Sequence, residues 1–271
     1  MTRIIERPEV FLISQPSLDW DEVRRYLGKV GDRTHTDCLD WADRVQDEFD
    51  IHDGDALVEF GGRLCYRSWV PEANANVTRV REDSTVYLGN ILSSGHGSVT
   101  EHANYSFIFD DVSRVFTHEM VRHRAGVAVS QESMRFVRLT DIPFWFPEWA
   151  REDTDLMAKS IKLLHEMERH QIWMADHFGL DDENVPFSEK KHKTSFMRRF
   201  APDGVATGML CTINVRALRH IVYMRTSLGA EEEIRLVMDD VARLALEVTP
   251  KLMQDYSPDE NREWIPEFLK V

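Results

Sequence analysis

Apolar positions along the chain fall into two kinds of spacing, and each predicts a different element. Tyr105, Phe107 and Phe109 alternate with smaller or polar residues between Asn104 and the Asp110-Asp111 pair, the period of a half-buried strand. Ser113 follows as a helix N-cap, and Val115, Phe116 and Met120 give helical spacing that runs up to Arg122-His123-Arg124. Val205, Thr207, Met209, Cys211 and Ile213 alternate again and predict a second strand. From Asn214, an apolar stripe of Ala217, Ile221, Met224 and Leu228 predicts a helix with Gly229 near its end. Another helix begins near Glu231 and carries Ile234, Val237, Met238, Val241 and Leu244 inward until Pro250. Leu156, Ile161, Leu164, Met167, Met174 and Phe178 predict a long amphipathic helix over residues 152–178, whose stripe reads as ordinary packing.

No internal repeat or low-complexity linker interrupts these elements. The expected fold class is therefore α/β, a single domain with a central sheet flanked by helices over residues 56–271. A helical insertion at about 150–195 should decorate its outside. Residues 1–55 mix a short apolar run at 10–13 with an acidic stretch through Asp37, Asp40, Asp43, Asp47 and Asp50, and read as an N-terminal elaboration.

Composition changes this picture in three ways. A chain of 271 residues, 42% hydrophobic and 30% charged, can bury a substantial core. A net charge of −14 argues against nucleic acid or an anionic membrane as a partner. It does not argue against a small phosphate ester, because charges beyond a Debye length of about 8 Å are screened and a local arginine cluster can reverse the potential. Cys38, Cys65 and Cys211 form no CxxC pair, which points away from a disulfide framework or zinc site, and no metal is expected. With neither a signal-peptide pattern nor a run long enough to span a bilayer, a cytoplasmic location is expected.

Three constellations carry candidate chemistry. Arg122-His123-Arg124, followed by Ser130-Gln131-Glu132-Ser133-Met134-Arg135, concentrates guanidinium, hydroxyl and amide groups that suit an oxyanion, although a solvated arginine face paired with carboxylates would look the same. Asn214, Arg216, His220 and Arg225 lie on or just ahead of one predicted helix. Arg216 and His220, four apart, share a side, and Asn214 and Arg225 share another; a solvated face is again the plainer alternative. Gly95-His96-Gly97-Ser98-Val99-Thr100-Glu101-His102 combines small residues that let a ligand approach with side chains that could contact it, and by itself is a weak signal.

In order and approximate spacing, over residues 61 to about 256, these constellations resemble the flavin-dependent thymidylate synthases. That family's hallmark is Arg-His-Arg, seven residues, then Ser. Here eight residues, 125–132, separate Arg124 from Ser133, and Met134-Arg135-Phe136 matches the family's Ser-x-Arg-aromatic continuation. Gly62-Arg63-Leu64-Cys65 resembles the family's upstream flavin-contact segment, and residues 96–102 its His-x-Ser/Thr-x-x-Glu-His element. Arg198, ahead of Pro202, and Asn214-x-Arg216, His220 and Arg225 follow at family-like intervals.

The resemblance implies FAD contacts from Ser98, Glu101, Arg122, His123, Arg124, Asn214, Arg216 and His220, with Cys65 and His96 nearby. It implies that Glu119, Arg122, Gln131, Glu132, Ser133, Arg135, Arg198 and Arg225 hold dUMP or UMP. Arg122, Arg135 and Arg225 would bind the phosphate or stabilise charge on the ring, and Ser133 would orient rather than attack. It also implies methylenetetrahydrofolate as carbon donor, NADPH as reductant, and a homotetramer with sites between subunits. The departures are the extra residue before Ser133, Gln131 or Glu132 filling a position where Glu is usual, and Glu119 where Gln is common. A carboxylate there could accept a hydrogen bond from a ribose 2′-OH, so UMP is expected as a substrate alongside dUMP. The competing expectations are a UMP-specific methylase of modified-nucleoside biosynthesis and a non-catalytic nucleotide-binding protein.

Overall fold

The computed structural model describes residues 2–48, 51–136 and 139–271; Asp50 of the acidic stretch lies outside them. In chain order the elements are β1 (Arg3–Ile5), β2 (Glu9–Ser14), α1 (Trp20–Thr34), α2 (Leu39–Asp47), α3 (Asp53–Tyr66), α4 (Ser84–Ser93), β3 (Asn104–Ser113), α5 (Arg114–Met120), β4 (Val127–Gln131) and β5 (Pro143–Trp145). They continue with α6 (Glu148–Glu152), α7 (Thr154–His177), α8 (Phe187–Met197), β6 (Ala206–Asn214), α9 (Val215–Thr226), α10 (Glu232–Val248), β7 (Tyr256–Pro258) and β8 (Trp264–Pro266).

The central sheet has four strands in the order β2-β3-β6-β4, every neighbour antiparallel. The alternation read from sequence sets its register: Phe107 lies opposite Cys211 and Tyr105 opposite Ile213. These residues, with Phe109 and Met209, are buried against Leu218, Ile221 and Val222 of α9 and Ile234, Val237, Met238 and Val241 of α10. One face of the sheet thus carries the main core, as a period of two requires.

Polar residues fix the strand-to-helix corners. Ser113 Oγ accepts the Phe116 N–H at 3.1 Å and starts α5, while its own backbone N–H donates to Glu233 of α10 at 2.6 Å. Asn214 ends β6 and caps α9 by accepting the Ala217 N–H at 2.9 Å. Both β-to-α corners open beside the clefts described below.

The N-terminal segment is more than a decoration. β2 is the edge strand of the central sheet, with Val10 opposite Phe109 and Leu12 opposite Phe107. A boundary at residue 55 falls inside α3, where the buried Asp55 carboxylate accepts the Thr249 hydroxyl at 2.6 Å and the Leu252 N–H at 3.3 Å. Helices α1 to α3 form a second cluster around Trp41 and Trp69, in which Trp41 Nε1 donates to Glu59 at 2.7 Å. The 150–195 region is helical, as α7 and α8. It packs through Leu164 on Ile142, Phe146 and Val205 and is anchored where the Ile142 N–H donates to Glu168 at 2.8 Å.

Candidate active site

The segment from Arg114 to Gly126 lines two clefts. Arg114 and His118, four apart on α5, face one of them, and the turn that follows sends Arg122, His123 and Arg124 into the other.

The first cleft, about 530 Å³, gathers Glu101, Arg122, His123, Arg124, Asn214, Arg216 and His220, all expected from sequence to hold the cofactor. Arg216 reaches across it to Glu101 at 2.6 Å. The chain passes beneath at Gly126, whose φ of 71° favours glycine and where a Cβ would overlap the Asn214 side chain. Arg122 and Arg124 have no carboxylate partner among the described residues. A cleft of this size, with two free guanidiniums, two imidazoles and a glycine-lined floor, suits part of a phosphate-bearing ring cofactor.

The second cleft, about 480 Å³, is lined by Gln131, Glu132, Ser133 and Arg198 from the expected substrate set. Arg114, His118, Arg199 and Asp203 join them without having been singled out; the spacing of Arg114 and His118 behind the Ser113 cap was the available signal. The structure separates the roles of Gln131 and Glu132. Gln131 donates to Thr117 Oγ1 at 3.1 Å, while Glu132 accepts the Gly208 N–H at 3.1 Å and the Thr207 hydroxyl at 3.4 Å, tying the end of β4 to β6. Ser133 Oγ accepts the Arg135 N–H at 3.4 Å. The buried Arg135 Nε has no hydrogen-bond partner among the described residues, a donor left over beside Ser133.

Glu119 and Arg225, expected to hold the nucleotide, line neither cleft; they lie between His118 of the second and His123 of the first. Arg225 pairs with the Glu119 carboxylate through Nη1, donates to the Glu119 carbonyl through Nη2 at 3.2 Å, and donates through Nε to His123 Nε2 at 2.8 Å. His123 must therefore be neutral, with its proton on Nδ1. Burial, then the Arg225 charge, then the neighbouring His220 push its pKa down to about 4. Helical periodicity had placed Arg225 beside Asn214; in the structure Asn214 shares the first cleft with Arg216 and His220, whereas Arg225 turns to Glu119 and His123.

Three expected residues lie elsewhere. Cys65 and Ser98 are exposed and line neither cleft, and His96 lines a third cleft, where its ring stacks on Tyr66. Among the described residues no group of three or more His, Cys, Asp or Glu could hold a metal, and no helix is long and apolar enough to cross a membrane.

Fold and clefts together define a protein with two arginine-bearing clefts lined from one shared segment. Residues 48–251 match the family model described as thymidylate synthase complementing protein. The chain is 33% identical over 221 residues to the flavin-dependent thymidylate synthase of Mycolicibacterium gilvum, covering 76% of this chain and 81% of that protein. It is 32% identical over 210 residues to that of Mycobacterium tuberculosis, at the same coverages of 76% and 81%. In fold it is similar to the crystal structure of a UMP/dUMP methylase, PolB, from Streptomyces cacaoi bound with 5-Br UMP, with a TM-score of 0.59 and 14% identity over 93% of this chain and 94% of that one. The chain belongs to the flavin-dependent thymidylate synthase family and is an enzyme of that methyl-transferring class.

Proposed function

We infer that the enzyme carries out FAD-dependent reductive methylation of C5 of the uracil ring in dUMP and in UMP, with methylenetetrahydrofolate as carbon donor and NADPH as reductant. The observation that carries this reading is the single segment lining both clefts, with Arg225 holding its middle through Glu119 and His123.

In the first cleft Arg122 and Arg124 would hold the flavin phosphates, with Asn214, Arg216 and His220 along the opposite wall and Glu101 holding Arg216 in place. When bound, the flavin supplies the hydride that reduces the transferred one-carbon unit. In the second cleft Arg198 and Ser133, helped by Arg114 and Arg199, would bind the nucleotide phosphate. Arg135, expected from sequence to join them, does not line the cleft, and its unpartnered Nε is buried behind Ser133. Arg122, on the first cleft, and Arg225, held by Glu119 and His123, would stabilise negative charge on the ring oxygens; preorganised donors of this kind contribute a few kcal/mol. His123, neutral around pH 7, fixes Arg225 without competing for its charge.

No thiol adduct at C6 is needed. Cys211 is buried in the core and its thiol is pushed up to about 12 by burial, so it stays protonated, and Cys65 is exposed away from both clefts. We further infer a homotetramer in which neighbouring subunits close both clefts. The test is purification followed by turnover: protein that carries flavin absorption and methylates dUMP and UMP supports the reading. Folded protein that stays colourless with added FAD, or binds nucleotide without turnover, supports the non-catalytic alternative.

A further inference from the structure

The third cleft, about 270 Å³, shares no lining residue with the other two and lies between the end of α3, the loop over residues 74–83 and α4. One wall is the Tyr66–His96 stack, with ring centroids 6.1 Å apart and planes at 25°, and Tyr66 is 52% exposed. The facing loop contributes Arg79 and Arg81, with Asn76 and Thr78 just ahead of them. In a chain with 47 acidic residues against 33 Lys and Arg, neither guanidinium makes an ion pair or a side-chain hydrogen bond among the described residues.

The loop is held in place by arginines that are themselves fully engaged. Arg63 is buried, pairs with Glu59 at 2.7 Å, and braces both rims of the cleft by donating to the Ser68 carbonyl at 2.8 Å and the Arg81 carbonyl at 2.6 Å. Asn74 Nδ2 donates to the Tyr66 carbonyl at 2.6 Å, and Arg44 to the Glu82 carbonyl at 2.6 Å. The cleft is thus a preformed pairing of a flat aromatic wall with two uncommitted cations. It also abuts the cofactor cleft: Gly97, next to His96, packs so closely on Arg216 that a Cβ there would contact the guanidinium.

We propose that Arg79 and Arg81 are an anion-recognition pair for the charged tail of a ring-bearing co-substrate whose ring end lies toward Tyr66 and His96. The inference rests on the flavin-enzyme reading, which calls for a folate and a nicotinamide nucleotide. Both join planar rings to carboxylates or phosphates, the groups that guanidinium pairs bind. Attraction at such an exposed site should weaken with salt.

The test is calorimetric binding to flavin-loaded enzyme of 5-formyltetrahydrofolate with one and with five glutamates, and of NADPH and NADH. Wild type is compared with Arg79→Ala/Arg81→Ala and with the charge-preserving Arg79→Lys/Arg81→Lys. The expected result is a loss of about tenfold or more for one highly charged ligand in the Ala variant, with its low-charge counterpart affected less and affinity partly restored by Lys. Flavin absorption and dUMP affinity should be unchanged. A loss confined to the pentaglutamate identifies the folate tail, and one confined to NADPH the extra phosphate. Equal affinities in wild type and Ala variant for all four ligands overturn the proposal while leaving the enzyme reading intact. Should wild type bind neither flavin nor nucleotide, the enzyme reading fails, and tripolyphosphate titrated into wild type and the Ala variant then decides whether the arginine pair binds anions.

Discussion

The contact between Arg225 and His123 makes a prediction about stability and pH. The Arg225 Nε–H points at His123 Nε2 at 2.8 Å, so a proton on that nitrogen would set two donors against each other. The folded pKa of about 4 lies below the 6.5 of the unfolded chain. Between these values the unfolded chain binds a proton that the native state does not. The contribution of His123 is therefore complete above about pH 6.5 and is lost as pH falls toward 4. Unscreened, this gap corresponds to roughly 2.4 kcal/mol between about pH 7 and about pH 4.5, and solvent reaching the half-buried ring reduces it to about 1–2 kcal/mol.

Asp55 acts in the opposite direction. Burial raises its pKa to about 6, so its penalty grows as pH rises from 3.8 to 6 and partly masks the His123 slope in wild type. The informative measurement is a difference between proteins. His123→Gln keeps an acceptor for the Arg225 Nε–H but cannot titrate. Urea unfolding of both proteins at about pH 7 and about pH 4.5 should show wild type losing about 1–2 kcal/mol more than the variant. Parallel losses in the two proteins would show that His123 is not held neutral by this contact.

Three further outcomes follow from the same geometry. Gly126→Ala should lower stability by about 1–3 kcal/mol and weaken FAD binding at least about tenfold, measured by thermal melts and flavin titration, because the residue needs a φ of 71° and its Cβ would displace Asn214. Arg198→Ala should raise the Kd of dUMP roughly ten- to a hundredfold by calorimetry with FAD still bound; an unchanged Kd would place the phosphate outside the second cleft. Wild type should use UMP within about a hundredfold of dUMP in kcat/KM, and Glu119→Gln should move that ratio toward dUMP. The same change should cost about 1–2 kcal/mol of stability, because the Glu119–Arg225 pair, 34% and 18% exposed, lies between surface and buried pairs; an unchanged ratio would shift the preference to the lengthened segment before Ser133.

Local rules made much of this molecule legible from sequence. The alternation of β3 and β6, the Ser113 and Asn214 caps and the stripe of α10 are short-range signals, and the structure contains each of them. The stripe expected on α9 holds only in part: the helix ends at Thr226, Met224 and Leu228 are exposed, and the buried face runs through Leu218, Ile221 and Val222, while on α7 Leu156 is exposed and Leu164 and Met174 are buried. What stayed hidden was non-local or inverted in polarity. The run at residues 10–13 gives no hint that it pairs with a strand about a hundred positions later. In α3 the buried face carries Asp55, Glu59 and Arg63, so its inward side reads as a solvated one until Thr249, Trp41 and the Arg81 carbonyl are seen to satisfy it. Likewise, periodicity could place Arg225 on α9 but could not show that Glu119 and His123 would meet it.

The acidity of the chain and the anionic ligands inferred for it are reconciled by how its arginines are spent. Arg219 is buried and forks onto Asp255 at 2.7 and 2.9 Å, Arg3 forks onto Asp111 and Arg7 pairs with Asp240, and these three hold distant segments together; Arg63 pairs with Glu59 on its own helix and ties it to the Arg81 carbonyl. The arginines without a carboxylate that line a cleft are Arg122 and Arg124 in the first, Arg114, Arg198 and Arg199 in the second, and Arg79 and Arg81 in the third. A surplus of carboxylates would be expected to quench surface guanidiniums indiscriminately. Instead all of those lining the three clefts except Arg216, paired with Glu101, and Arg63, paired with Glu59, are left free, and with screening over about 8 Å each cleft can be locally positive on a molecule of net charge −14. The local pairing state of an arginine, more than the overall charge, therefore decides where an anion binds on this protein.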